Sequence, residues 1–175
     1  MAKNGFDLGK KKIQSSKTLM RYIRTPKYLF DYLNNEFNFT VDACASDKNF
    51  LIDKYWTKNN SALDKNWDNE IVYCHPLFDS NIPKFVKKAV TSNCLTVFLL
   101  PSSTFSKYFH DYFWDNKNHC SRKNIQIRFL SNPKFDFGHK DKRYKFFTED
   151  MIEPDYGYLR PLMVVVVDKR KKIYG

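Results

Sequence analysis

Residues 71–101 read IVYCHPLFDSNIPKFVKKAVTSNCLTVFLLP, and this stretch decides the fold. It opens on a short apolar run, Ile71-Val72-Tyr73-Cys74, that stops at His75-Pro76. From Ile82 to Val90 the apolar residues recur at helical spacing. Pro83 stands in the first turn of that segment, where its missing N–H has no helical partner to lose. Leu95-Thr96-Val97-Phe98-Leu99-Leu100 then reads as a continuous apolar strand, the pattern of one buried on both faces, and it also ends at a proline, Pro101. Strand, helix and strand in that order predict parallel strands joined by a crossover helix.

The reading extends in both directions. Thr25-Pro26 predicts a helix start, with Thr25 as N-cap and Pro26 in the first helical position. Tyr28, Leu29, Tyr32, Leu33 and Phe37 keep the helical period to about Glu36. A short strand is expected over Phe39–Ala43, a helix over 46–56 and another around Phe105–Phe113. Ile125–Leu130 and Leu162–Val167 read as two more strands. The class is α/β, with a mostly parallel central sheet flanked by helices. Residues 1–20 are polar and basic and read as a flexible arm, leaving 21–175 as a single domain. Residues 131–160 form a long stretch that interleaves His139, Lys140, Lys142, Arg143 and Lys145 with Phe135, Phe137, Tyr144, Phe146, Phe147, Tyr156 and Tyr158. A loop of this length in a compact domain is usually functional or disordered, and its aromatic content argues against full disorder; one reading is a solvated loop over a small satellite core. The expectation is a DNA-contacting segment, in which Lys140, Lys142, Arg143 and Lys145 hold phosphates.

Composition narrows the function. With 175 residues the chain is long enough for one domain with its own core, and 42% hydrophobic residues argue against disorder. A net charge of +11 favours a polyanionic partner. No segment has the roughly 18 apolar residues of a membrane span. The start, rich in Lys10-Lys11-Lys12, lacks the apolar run of a signal peptide. The five glycines leave residues 10–137 without one, which excludes a Walker A loop and a GxGxxG dinucleotide fingerprint there. Cys44, Cys74, Cys94 and Cys120 form no CxxC pair and read as reduced core thiols. His75 beside Cys74 and His119 beside Cys120 lack metal-ligand spacing, because neighbours on a strand face opposite sides.

In open α/β sheets, ligands sit beyond the carboxyl ends of the strands. Three such ends carry chemistry here: Asp42-Ala43-Cys44-Ala45, His75-Pro76-Leu77-Phe78 and Pro101-Ser102-Ser103-Thr104. Parallel strands would open all three onto one edge of the sheet.

These segments, with Thr25-Pro26, Tyr55-Trp56-Thr57, Ala62-Leu63, Trp67, Lys88-Ala89, Phe109 and His110, give the chain an ordered likeness over about residues 22–168. It resembles the phage-type DNA N6-adenine methyltransferases. The resemblance implies a Rossmann-like methyltransferase fold, S-adenosylmethionine as cofactor, double-stranded DNA as partner and the cytoplasm of an infected bacterial host as the setting. It implies that Asp42 holds polar groups of the methyl donor, and that Ala43, Cys44 and Ala45 are small enough to let the donor approach the backbone. Thr25 and Pro26 would lie against the donor's amino-acid end. Asn60 would make a neutral ribose contact where the family usually has an acidic residue. The family's catalytic pattern, Asn-Pro-Pro-Tyr or Asp-Pro-Pro-Tyr, is His75-Pro76-Leu77-Phe78 in this chain. Phe78 keeps a face for stacking on a flipped base, and Pro76 keeps a constrained backbone carbonyl for its amino group. His75 replaces an amide oxygen with one ring acceptor when neutral. That change predicts methyl transfer slower by about 10²-fold or more than with Asn. The alternative is a protein of another class, a catalytically inactive methyltransferase-like DNA-binding protein that occupies or protects sites.

Overall fold

The computed structural model describes residues 24–130 and 161–171. In chain order these form helix α1 (Lys27–Phe37), strand β1 (Val41–Asp42), a 3₁₀ turn (Ala62–Asp64), β2 (Ile71–Cys74), helix α2 (Ile82–Thr91), β3 (Leu95–Pro101), a π-helical turn (Phe109–Phe113), a small hairpin of β4 (Trp114–Asp115) and β5 (Cys120–Ser121), β6 (Ile125–Leu130) and β7 (Leu162–Asp168). The strand–helix–strand unit read from residues 71–101 is present, with β2 and β3 parallel and Ile71 opposite Leu95.

Five strands make one sheet in the order β1-β2-β3-β7-β6. β1, β2 and β3 are parallel. β7 runs antiparallel to both β3 and β6, so it alone points the other way and four strands share one direction. The sheet is therefore mixed, with its parallel part at the first three strands.

Alternation along the strands divides the core in two. On one face Val72, Cys74, Phe98, Leu100, Met163 and Val165 pack against Val86 and Ala89 of α2 and against Phe109 and Phe113. On the other, Tyr73, Val97, Leu99 and Val164 pack against Leu29, Phe30 and Leu33 of α1. β3 and β7 are buried along almost their whole length, as their unbroken apolar runs require.

Several local expectations need correction. Pro26, not Thr25, is the N-cap of α1, and no side chain caps it. The Thr25 hydroxyl is committed to a long-range contact instead. Residues 46–56 form turns and bends rather than a helix. They return to β1, where Asp42 N–H donates to the Lys54 carbonyl and Trp56 N–H to the Asp42 carbonyl. Residues 54–56 thus satisfy β1's outer edge, and a helix there would leave it bare. The first strand is shorter than Phe39–Ala43, covering only Val41–Asp42. The expected helix around Phe105–Phe113 is a shorter, more widely wound feature, a π-helical turn spanning Phe109–Phe113. The arm at 1–20 and the insertion at 131–160 lie outside the described residues. No helix among the described residues is long and apolar enough to cross a membrane.

Candidate active site

The parallel pairing of β1, β2 and β3 brings their carboxyl ends to one edge of the sheet. Asp42 ends β1 in register with Tyr73 of β2, so the segment after β1 lies beside the segment after β2. Ala43 N–H donates to the Tyr73 carbonyl at 2.9 Å, which extends the pairing past the strand end. Cys44 Sγ and Cys74 Sγ are 3.5 Å apart, and both are free thiols. Burial raises the Cys74 thiol well above its ordinary range, and the neighbouring Cys44 adds to the effect.

Asp42 is 3% exposed. One carboxylate oxygen accepts the Cys44 N–H at 3.1 Å and the other the Leu51 N–H at 3.3 Å. Desolvation pushes the carboxyl up to about 6, against the opposing pull of those two N–H groups. A carboxylate offers about four lone-pair positions, and these bonds use two of them. Such a group suits hydroxyl or ammonium donors of a bound molecule. Ala43 is buried; Cys44 and Ala45 are partly so. Their small side chains leave the backbone of this turn approachable. The turn is braced by Asn49 Oδ1, which accepts from Ser46 N–H at 2.6 Å and from Ser46 Oγ at 2.9 Å. Asn60 is exposed, in the bend before the 3₁₀ turn; its N–H donates to the Thr57 carbonyl at 3.2 Å. No described contact joins Asn60 to Asp42.

His75 follows β2 directly. Tyr73 and His75 are two apart on an extended chain and share a side of it. Thr25 stands between them: its Oγ1 lies 2.6 Å from the Tyr73 hydroxyl and 2.8 Å from His75 Nδ1. Burial pulls the imidazole down to about 4, so it is neutral at physiological pH. Pro76 is buried, and Leu77 is exposed. Phe78 is partly buried and packs against both core clusters. Its ring centroid is 5.2 Å from that of His75, with planes tilted by 46°.

The structure thus joins Thr25 to His75, sets Asp42, Ala43 and Cys44 beside the end of β2, and places Phe78 against His75. No described contact joins Asn60 to these residues. Lys140, Lys142, Arg143 and Lys145 lie outside the described residues. Tyr73 is a site residue that the sequence reading assigned only to a strand. The Tyr-x-His alternation was its one visible signal, and the bond to Thr25 depends on a helix docking far along the chain.

A family model described as DNA N-6-adenine-methyltransferase (Dam) matches residues 13–170. No curated protein matches the chain.

Proposed function

The chain belongs to the DNA N-6-adenine-methyltransferase (Dam) family, and on that premise we propose that it methylates the N6 amino group of an adenine flipped out of double-stranded DNA, with S-adenosylmethionine as donor, on a Rossmann-like methyltransferase fold. The observation that carries this reading is the juxtaposition of a buried carboxylate, Asp42, with His75-Pro76-Leu77-Phe78 at neighbouring parallel strand ends. When bound, S-adenosylmethionine supplies an electrophilic methyl group, which replaces one amino hydrogen of the base as that hydrogen leaves as a proton.

The donor's chemistry fits the residues present. Its hydroxyl and ammonium groups match the spare lone pairs of Asp42, and having no phosphates it needs no glycine-rich cradle. Ala43, Cys44 and Ala45 admit it to the backbone, Thr25 and Pro26 line its amino-acid end, and Asn60 makes a neutral ribose contact. Pro76 and His75 stand at the amino group. The Pro76 carbonyl accepts an amino hydrogen, which holds the nitrogen lone pair toward the methyl carbon. Phe78 stacks on the base. Lys140, Lys142, Arg143 and Lys145 grip phosphates without reading sequence.

Calorimetric titration with S-adenosylmethionine, followed by mass spectrometry of treated DNA for N6-methyladenine, tests the proposal. Micromolar donor binding and detectable N6-methyladenine are expected. A folded protein that ignores millimolar donor in the presence of DNA would overturn it. One observation favours a second reading. The catalytic pattern starts with an imidazole whose Nδ1 is held by Thr25, in place of an amide. A DNA-binding protein that occupies sites without modifying them would tolerate that exchange. Under the second reading, His75→Asn with Leu77→Pro creates methyl transfer where there was none. Under the first, it changes an activity already measurable.

A further inference from the structure

We propose that Tyr73 and Thr25 are positioning residues that hold His75 in its Nε2–H tautomer, so that His75 enters the site as a hydrogen-bond donor. The argument is a count of protons. Tyr73 is 1% exposed and Thr25 is 8% exposed, so neither hydroxyl can rely on bulk water. Among the described residues the Tyr73 hydroxyl has one hydrogen-bond partner, Thr25 Oγ1, and Thr25 Oγ1 has two, the Tyr73 hydroxyl and His75 Nδ1. Buried hydroxyl protons are almost always given to an acceptor. The Tyr73 proton therefore goes to Thr25 Oγ1. The Thr25 proton then has one acceptor left, His75 Nδ1. A neutral ring that accepts at Nδ1 carries its proton on Nε2. The reverse direction, from Nδ1–H to Thr25 and on to Tyr73, would leave the phenol proton without an acceptor in the interior. Donation from a phenol into an alcohol also strengthens the alcohol's own donation, so the two bonds reinforce one another.

This assignment changes what His75 does, and the change rests on the reading of the site given above. An amide at this position both accepts and donates. His75 in the Nε2–H form keeps only the donating half. Paired with the accepting Pro76 carbonyl, it presents a donor beside an acceptor. The complementary base edge is a ring nitrogen acceptor beside an amino donor, which adenine shows at N1 and N6. Guanine and thymine show the opposite order, an N–H beside a carbonyl oxygen, whereas cytosine shares adenine's order at N3 and N4. His75 is thereby a specificity-determining residue that separates amino-bearing from keto-bearing base edges.

Nitrogen NMR of the full chain labelled with ¹⁵N-histidine tests the tautomer without DNA or donor, with the His75 signals identified by their loss in His75→Gln. Expected are a pyridine-type shift at Nδ1 and a pyrrole-type shift at Nε2. Thr25→Val should collapse them toward averaged values, while Thr25→Ser should restore them. The reverse assignment in the native protein, or shifts indifferent to Thr25→Val in a folded chain, overturns the proposal. Methyl transfer to DNA carrying 1-deazaadenine, which lacks the ring acceptor, should be slower by roughly 10-fold, about the worth of one hydrogen bond to a neutral group. Equal rates on both substrates would overturn the donor role. The two failures are separable: a chain that methylates nothing defeats the functional reading and leaves the tautomer measurement standing, whereas an active chain with Nδ1–H defeats only this inference.

Discussion

Asp42 and His75 titrate in opposite directions, for the same reason. Burial disfavours charge, so the carboxyl rises from 3.8 to about 6 and the imidazole falls from 6.5 to about 4. For Asp42 the folded chain binds its proton more tightly than the unfolded chain does. Its contribution to stability is full below about pH 3.8 and is lost as pH rises through about 6. For His75 the contribution is full above about pH 6.5 and is lost as pH falls through about 4. Between about pH 4 and 6 the two slopes oppose, so we expect a flat stability profile there. His75→Gln should unmask the Asp42 slope, visible as a Tm that rises on acidification across that window. Asp42 also sets a ligand prediction. Under the proposed function the donor groups on S-adenosylmethionine bind the ionised carboxylate, so affinity should climb as pH rises through about 6 and level off above it. Asp42→Asn should flatten that climb and weaken binding at neutral pH by roughly 10-fold to 10²-fold, the worth of one or two charge-assisted hydrogen bonds. Calorimetry at several pH values measures both effects.

Elements hold these residues in place through few contacts. The loop between β1 and β2 is anchored by Trp67, fully buried, whose Nε1–H donates to the Ala62 carbonyl at 2.8 Å and whose ring stacks 5.9 Å from that of Trp56. Trp67→Ala should cost about 3–5 kcal/mol in a denaturant titration, and Trp67→Phe less, leaving mainly the orphaned carbonyl. Helix α1 is tied to β6 by Arg128, which forks onto Glu36 at 2.6 and 2.5 Å and lies 5.4 Å over the Phe37 ring. Arg128→Lys keeps the charge but loses the fork and the flat stack, so it should destabilise nearly as much as Arg128→Ala, each by about 1 kcal/mol. β2, β3, β6 and β7 were legible in the sequence because unbroken apolar runs between breakers carry a strong local signal, and α2 because its apolar stripe and Pro83 agree. Residues 46–56 misled because their pairing partner, Asp42, is supplied by tertiary structure. Thr25 misled because a hydroxyl before a proline has two uses, and the choice between them was made by Tyr73 and His75 on another element. The edge that gathers Asp42 and His75 followed from strand order alone. The proton relay behind His75 did not, since no sequence spacing records which hydroxyl meets which ring nitrogen.

At the scale of the whole molecule, the proposed binding of DNA by a chain of charge +11 should depend on salt. The logarithm of the association constant should fall linearly with the logarithm of salt concentration. Replacing Lys140, Lys142, Arg143 and Lys145 together by Ala should reduce that slope by roughly 0.9 for each phosphate contact removed, with donor affinity unchanged. Fluorescence anisotropy at several salt concentrations reads the slope, and an unaltered slope would assign the phosphates to other cations. Sheet order adds a last consequence. β6 runs with β3, and β7 returns between them, with Leu130 opposite Leu162 and Leu162 opposite Pro101. The chain therefore leaves β6 and enters β7 side by side, at the same edge where β1 and β2 end. The Pro161 carbonyl pins the return by accepting the Ser102 N–H at 2.9 Å. Two neighbouring antiparallel strands can be closed by a turn of two residues, yet residues 131–160 occupy that junction. The two posts themselves are set by the ladders of β7 with β3 and β6. A segment joined there can change in length without moving the register of either ladder, because the entropy of closing a loop grows only slowly with its length.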